Sequence, residues 1–170
     1  MVHVSTSFND LELPPVDDVF IALGTTIKLA GSRAAFRAVD LHAVVAVTSA
    51  AGAKRLGVVS AMSADASSKV FYNRVKGEME AAVTALGFEA VVIVRPSLLA
   101  GDRETLAQSI RPIENFFRLA AGLFKFMIFA NYRPVQGVDV AEALVNAVQA
   151  AGMGTRVMLS SELQPQPEIS

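Results

Sequence analysis

Two side chains that could perform acid–base chemistry together lie four residues apart, at Tyr72 and Lys76. This spacing places both on one face of a helix, close enough to interact. The phenol could then act as a general acid or base toward a substrate oxygen, and the ammonium would lower the pKa of the phenol. Ser60, which ends a predicted strand, could donate a hydrogen bond to the same oxygen. These three residues predict a site that handles a carbonyl or an alcohol.

The required change in the pKa of the phenol is energetically reasonable. Lowering its pKa from about 10 to about 7 requires about 4 kcal/mol of preferential stabilisation of the phenolate. One cation about 5 Å away contributes roughly 3 kcal/mol at an effective dielectric constant near 20. The spacing alone also fits an aromatic–lysine pair on a helix surface with no chemical role. The preceding strand that ends in serine favours the catalytic interpretation.

The composition excludes several other kinds of site. The chain has no cysteine and only two histidines, which excludes thiolate nucleophiles and disulfides and predicts no metal site. A net charge of −1 gives no electrostatic reason to expect nucleic acid or an anionic membrane as a partner. With 170 residues, 52% of them hydrophobic, the chain suits a single domain with a buried core. The N-terminus lacks the features of a signal peptide, so we expect a cytoplasmic protein.

The hydrophobic pattern predicts strands and helices in alternation. The predicted strands are the apolar runs 19–23, 56–60 and 90–94, with weaker candidates at 2–6 and 156–159. The first predicted helix follows Ser32, an N-cap candidate, and ends near Gly52. The other predicted helices are 68–86, 112–129 and 138–151. This order predicts an α/β fold with a parallel sheet, whose ligands bind beyond the carboxyl ends of the strands.

Five short segments carry a resemblance to a known family. They are ALGTT (22–26), VVSA (58–61), AD (64–65), FYNRVKGE (71–78) and VRPSLLAG (94–101). In this order they resemble the atypical short-chain dehydrogenases of the Tat-interacting-protein-like group, relatives of NAD(P)-dependent sugar epimerases and dehydratases. The resemblance covers residues 19–103 and continues more weakly to the C-terminus.

The resemblance implies a Rossmann-like fold, NAD or NADP as cofactor, and a small-molecule substrate with a carbonyl, alcohol or sugar group. Tyr72 and Lys76 would be the catalytic pair, and Lys76 would also hold the cofactor ribose. The other residues implied to bind the cofactor are Gly24, Thr25, Thr26, Pro96 and Ser97.

The sequence departs from the family pattern in two places. Many relatives carry the catalytic serine at the position of Ala61, so Ser60 or Ser63 would take its role here. The chain also contains no G-x-G-x-x-G, the motif whose backbone amides bind the pyrophosphate. The pattern matches the family from about its third strand onward. We therefore expect the first strand, Gly-rich turn and helix to be absent and NAD(P) binding to be weak.

A missing first strand would leave the apolar strand 19–23 at an exposed edge of the sheet. Three outcomes are open: residues 2–6 pair with it, a second chain covers it in a homo-oligomer, or the protein is poorly stable. Two other functions also stay open. One is a non-catalytic binding or regulatory protein that kept the fold, and the other is a truncated product without independent activity.

Overall fold

The computed structural model describes residues 13–97, 99–100 and 135–163. Their main feature is a parallel four-stranded sheet of β1 (Asp18–Ile21), β2 (Arg55–Val59), β3 (Ala90–Arg95) and β6 (Gly154–Leu159), in the order β1-β2-β3-β6. Two short strands, β4 (Leu99–Ala100) and β5 (Val135–Gln136), pair in parallel as a separate two-stranded sheet. Helices flank the sheet, so the predicted α/β, Rossmann-like fold is confirmed.

The helices follow the predicted order with different ends. They are α1 (Ile27–Ala30), α2 (Arg33–Arg37), a π-helical segment (Ala38–Ala43), α3 (Val44–Ala50), α4 (Phe71–Thr84), α5 (Gly137–Gln149) and a 3-10 turn (Ser160–Leu163). Ser32 caps α2 as predicted, because its Oγ accepts a hydrogen bond from the Ala35 amide at 3.0 Å. Helix α1 was not predicted. The predicted strand 2–6 and helix 112–129 lie outside the described residues.

The sheet is apolar on both faces because it separates two hydrophobic clusters. In β3, Val91 and Ile93 contribute to the cluster that includes Phe36 and Met79, on the side of the preceding helices and α4. Val92 and Val94 point the opposite way, into the cluster that α5 forms. Burial on both faces explains the continuous apolar runs of the central strands. The sheet thereby holds the carboxyl ends of β1, β2 and β3 side by side.

Strand β1 forms one edge of the sheet within the described part of the chain. It pairs with β2 in parallel, from Asp18 opposite Arg55 to Ile21 opposite Val58. Phe20 remains 41% exposed and Leu23, just after the strand, 37% exposed. Apolar exposure at a strand edge favours association with another strand. A homo-oligomer that covers this edge stays a prediction, which size-exclusion chromatography can test.

Helix α4 is fixed in place by a close backbone contact at Gly77. A Cβ atom there would lie 2.1 Å from the Ala66 amide nitrogen and 2.3 Å from the Asp65 carbonyl carbon. We expect Gly77→Ala to lower the free energy of unfolding by about 2–3 kcal/mol, because these backbone atoms must move apart. Urea denaturation measures the change. Gly137→Ala is the matched control, since no atom lies within 4 Å of its Cβ position, and equal losses in both variants would contradict the steric explanation.

Candidate functional site

The predicted site residues follow three neighbouring parallel strands. Gly24 and Thr25 come after β1, Ser60 follows β2, and Pro96 and Ser97 follow β3. The strands run in register and in the same direction, so these residues share the carboxyl edge of the sheet. This is the edge at which α/β proteins bind their ligands.

Lys76 is buried beside this edge in an ion pair with Asp40, a residue of the π-helical segment. The ammonium lies 2.6 Å from Asp40 Oδ1, with 6% of the lysine side chain exposed and none of the aspartate side chain. The contact is an ion pair rather than a well-directed hydrogen bond. The second carboxylate oxygen, Oδ2, accepts a hydrogen bond from the Thr25 amide at 2.9 Å. The carboxylate thus links α4 to the turn after β1.

Gly24 lies against the same pair. A Cβ atom at this position would lie 3.2 Å from Asp40 Oδ1 and 3.5 Å from Lys76 Nζ. The absence of a side chain therefore lets the turn approach the two charges closely. Of the residues predicted to bind a cofactor, the structure brings Gly24, Thr25 and Lys76 together around Asp40.

Tyr72 lies one helical turn before Lys76 and is half-buried. Its ring packs against Phe36, with the ring centroids 5.6 Å apart and the planes at 44°. Burial raises the pKa of the Tyr72 phenol, and the Asp40 carboxylate raises it further. The pKa of the phenol is thus raised in this structure, whereas we expected from the sequence that it would be lowered. The physical reasons are burial, which disfavours the phenolate, and the negative charge of the Asp40 carboxylate.

Ser60 has an unused hydrogen-bonding group in the described part of the chain. Its amide donates to the Val94 carbonyl at 2.8 Å, which continues the sheet pairing. Its hydroxyl is buried and has no partner among the described residues. A buried hydroxyl without a partner is costly unless it binds something. Ser60 Oγ therefore fits a role in holding a ligand oxygen, whereas the alternative, Ser63, is exposed.

The remaining predicted residues have partners within the fold. Thr26 caps α1, because its Oγ accepts a hydrogen bond from the Leu29 amide at 3.1 Å. The Pro96 carbonyl accepts a hydrogen bond from the Met62 amide at 3.3 Å, which holds the loop after β2. Ser97 Oγ lies 3.1 Å from Ser160 Oγ in the 3-10 turn. These contacts anchor the loops at the carboxyl edge of the sheet.

Sequence reasoning missed Asp40, although the sequence contains a signal for it. Asp40 lies four residues after Phe36 and four before Val44, both of which are buried. A carboxylate on the apolar face of a helix must find a partner, since an unpaired buried charge is very costly. Its partner is the lysine already singled out for chemistry.

The described ranges contain no cluster of three or more histidine, aspartate or glutamate side chains that could hold a metal ion. No helix within them has the length and apolar character needed to cross a membrane.

The chain is similar to several curated fungal proteins, although no protein-family model matches it. It is 33% identical over 153 residues to the protein named FMP52, mitochondrial, of Eremothecium gossypii, an alignment that covers 87% of this chain and 68% of that protein. It is 42% identical over 114 residues to fmp52, mitochondrial, of Emericella nidulans (65% and 47% covered). It is 33% identical over 137 residues to FMP52-1, mitochondrial, of Scheffersomyces stipitis (76% and 58% covered). The chain thus spans only about half of the length of the last two relatives.

The fold also resembles the solved structure of RMD from Pseudomonas aeruginosa complexed with NADPH. The TM-score is 0.57 at 15% sequence identity, and the match covers 91% of this chain and 64% of the other. At this identity the likeness supports the Rossmann-like fold. The names of the sequence relatives test the predicted cellular location. The expectation of a cytoplasmic protein is wrong, because relatives at 33–42% identity are named as mitochondrial.

Proposed function

This chain belongs to the FMP52 family, and we propose on that premise that it is a mitochondrial protein that binds NAD or NADP and acts on a carbonyl or alcohol group of a small molecule. The observation that carries the proposal is the position of Lys76. Its ammonium lies beside the Gly24–Thr25 turn at the carboxyl edge of the sheet, one helical turn after Tyr72. The NADPH in the structural neighbour supports a dinucleotide as the ligand.

In the proposed site each residue has a separate task. Lys76 and the turn after β1 would hold the ribose on the nicotinamide side, and the dinucleotide, when bound, would supply or accept a hydride. Ser60 donates a hydrogen bond to the substrate oxygen, and Tyr72 transfers a proton to it. In the reductive direction the C=O double bond is lost as the carbon gains a hydride and the oxygen gains the Tyr72 proton. Water then returns a proton to the phenolate.

A second candidate function is a non-catalytic binding or regulatory protein. It is favoured by the absence of G-x-G-x-x-G from the sequence, because this motif normally binds the cofactor pyrophosphate. The two candidates differ in one respect that can be measured. The enzyme requires a dinucleotide with its nicotinamide end at Lys76, whereas the regulatory protein does not.

We expect the 170-residue chain to bind NADPH with a Kd weaker than about 100 µM, because its sequence contains no G-x-G-x-x-G, the motif whose backbone amides bind the pyrophosphate. Saturation-transfer NMR detects such weak binding and resolves which end of the ligand is in contact. The nicotinamide protons should receive more saturation than the adenine protons. Transfer confined to the adenine, or none at millimolar ligand, would favour the second candidate.

Paired variants show whether the contact depends on Lys76. The Asp40→Asn/Lys76→Met variant removes the ammonium together with its buried partner and should lose transfer to the nicotinamide. Lys54→Met makes the same chemical change at the opposite, amino edge of β2, where Lys54 is 64% exposed beside Asp17. It should bind NADPH as the unmodified chain does.

A further inference from the structure

Two large apolar side chains protrude from the protein close to the proposed site. Leu29 of α1 is 80% exposed, and Val70, the residue before α4, is 57% exposed. Each follows an exposed lysine directly in the sequence, Lys28 and Lys69. Single exposed apolar residues are common on protein surfaces. Apolar side chains next to cations are instead typical of surfaces that bind anionic lipid, which gives these two segments a common chemical character.

The two segments belong to one surface at the carboxyl edge of the sheet. The guanidinium of Arg33, four residues after Leu29, lies 5.1 Å from the centroid of the Phe71 ring, and Phe71 directly follows Val70. Helix α1 begins soon after the turn that follows β1, and α4 begins after the loop that follows β2. We call this surface the apolar–basic rim, and its residues are Ile27, Lys28, Leu29, Arg33, Lys69 and Val70.

The apolar–basic rim carries a local excess of positive charge. Lys28, Arg33 and Lys69 are exposed and form no ion pair with the residues that the structure describes. Of the acidic residues nearby, Glu78 is already paired with an arginine of α2, and Asp65 accepts hydrogen bonds within its own loop. The net charge of −1 therefore conceals a positive surface, which complements the phosphate groups of anionic lipids.

We propose that the apolar–basic rim docks on an anionic phospholipid surface and turns the carboxyl edge of the sheet toward the lipid. Leu29 and Val70 enter the outer part of the acyl-chain region, and the cations contact the headgroup phosphates. A lipid surface fits better than a peptide, because these side chains protrude, whereas the apolar anchors of a peptide need a groove to enter. The docking does not depend on the proposed function. Its consequence, that carbonyl compounds dissolved in the lipid reach the site directly, rests on that function.

Sedimentation with lipid vesicles tests the docking in the full chain. The chain should sediment with phosphatidylcholine vesicles that contain about 30% phosphatidylserine and should stay in solution with pure phosphatidylcholine. About 0.5 M NaCl should release it, because salt screens the headgroup charge. Lys69→Gln should weaken binding about five-fold, the contribution of one surface cation. Lys54→Gln removes an exposed cation at the amino edge of the sheet and should leave binding unchanged.

A single fluorescent label tests which face meets the lipid. The chain contains no cysteine, so Leu29→Cys carries an environment-sensitive dye at one known place, and Val70→Cys replaces it if that variant does not fold. On anionic vesicles the emission should shift to the blue, because the label enters an apolar phase. Met153→Cys is the matched control, since Met153 is 91% exposed at the amino edge of the sheet, directly before β6. Its emission should not change.

Each contrary result overturns the proposal. A folded chain that sediments with neither kind of vesicle would do so and would leave the rim to a protein partner. Equal sedimentation with both kinds of vesicle would mean that the cations do not direct the binding. A blue shift in Met153→Cys, alone or together with one in Leu29→Cys, would mean that the rim is not the face that meets the lipid. None of these measurements includes NADPH, so failure of the proposed function is detected separately, in the NMR experiment.

Discussion

Replacing Lys76 with methionine is expected to lower the free energy of unfolding by about 3–5 kcal/mol, because it leaves the Asp40 carboxylate buried without its counter-ion. Asp40 is fully buried, so water cannot replace the lost ammonium without opening the packing around it. The Thr25 amide remains as a hydrogen-bond donor to one carboxylate oxygen, but it carries no full charge. Urea denaturation monitored by circular dichroism measures the loss.

The double variant distinguishes a lost ion pair from lost packing. In Asp40→Asn/Lys76→Met neither side chain is charged, so most of the stability lost in Lys76→Met should return. Lys54→Met is the control, because Lys54 and Asp17 are exposed and such pairs contribute about 0–1 kcal/mol. If the double variant is as unstable as Lys76→Met, the cost arises from packing of the lysine stem and not from the buried charge.

The fold could be predicted because the central strands are buried on both faces. Leu56 and Val58 of β2 and Val91 and Ile93 of β3 lie in one core cluster, and Val92 and Val94 lie in the other. Such burial produces continuous apolar runs that can be recognised in the sequence. Helix α1 was missed because it is only four residues long and buries no side chain. Its one strong signal is the Thr26 cap.

The end of β1 was predicted two residues too late for a reason that matters to the site. The run of apolar residues continues to Leu23, but pairing with β2 ends at Ile21. Beyond it the backbone turns toward Asp40, and the Thr25 amide bonds to the carboxylate. Hydrophobicity cannot indicate where this turn begins, because a tertiary hydrogen bond to a distant helix helps to determine it.

The electrostatics of the site could be predicted only in part. The spacing of Tyr72 and Lys76 correctly placed both on α4, but the direction of the shift in the phenol pKa depended on burial first and on a third residue, Asp40, second. Asp40 reaches Lys76 because the π-helical segment packs against α4, a contact between elements far apart in the sequence. A pKa depends on every charge nearby and on burial, so a two-residue motif could not determine it.

For a preparation that reduces a carbonyl substrate with NADPH, we expect Tyr72→Phe to lower the turnover rate by about 10²–10⁴-fold, the usual contribution of a general acid. The fold should persist, because phenylalanine keeps the ring that packs against Phe36 and removes only the hydroxyl. Loss of NADPH absorbance at saturating cofactor, with a panel of aldehydes and ketones, measures the rate. Tyr132→Phe deletes the other phenol of the chain and should leave turnover unchanged. Turnover in Tyr72→Phe close to that of the unmodified chain would remove Tyr72 from the chemistry and would mean that another group protonates the substrate.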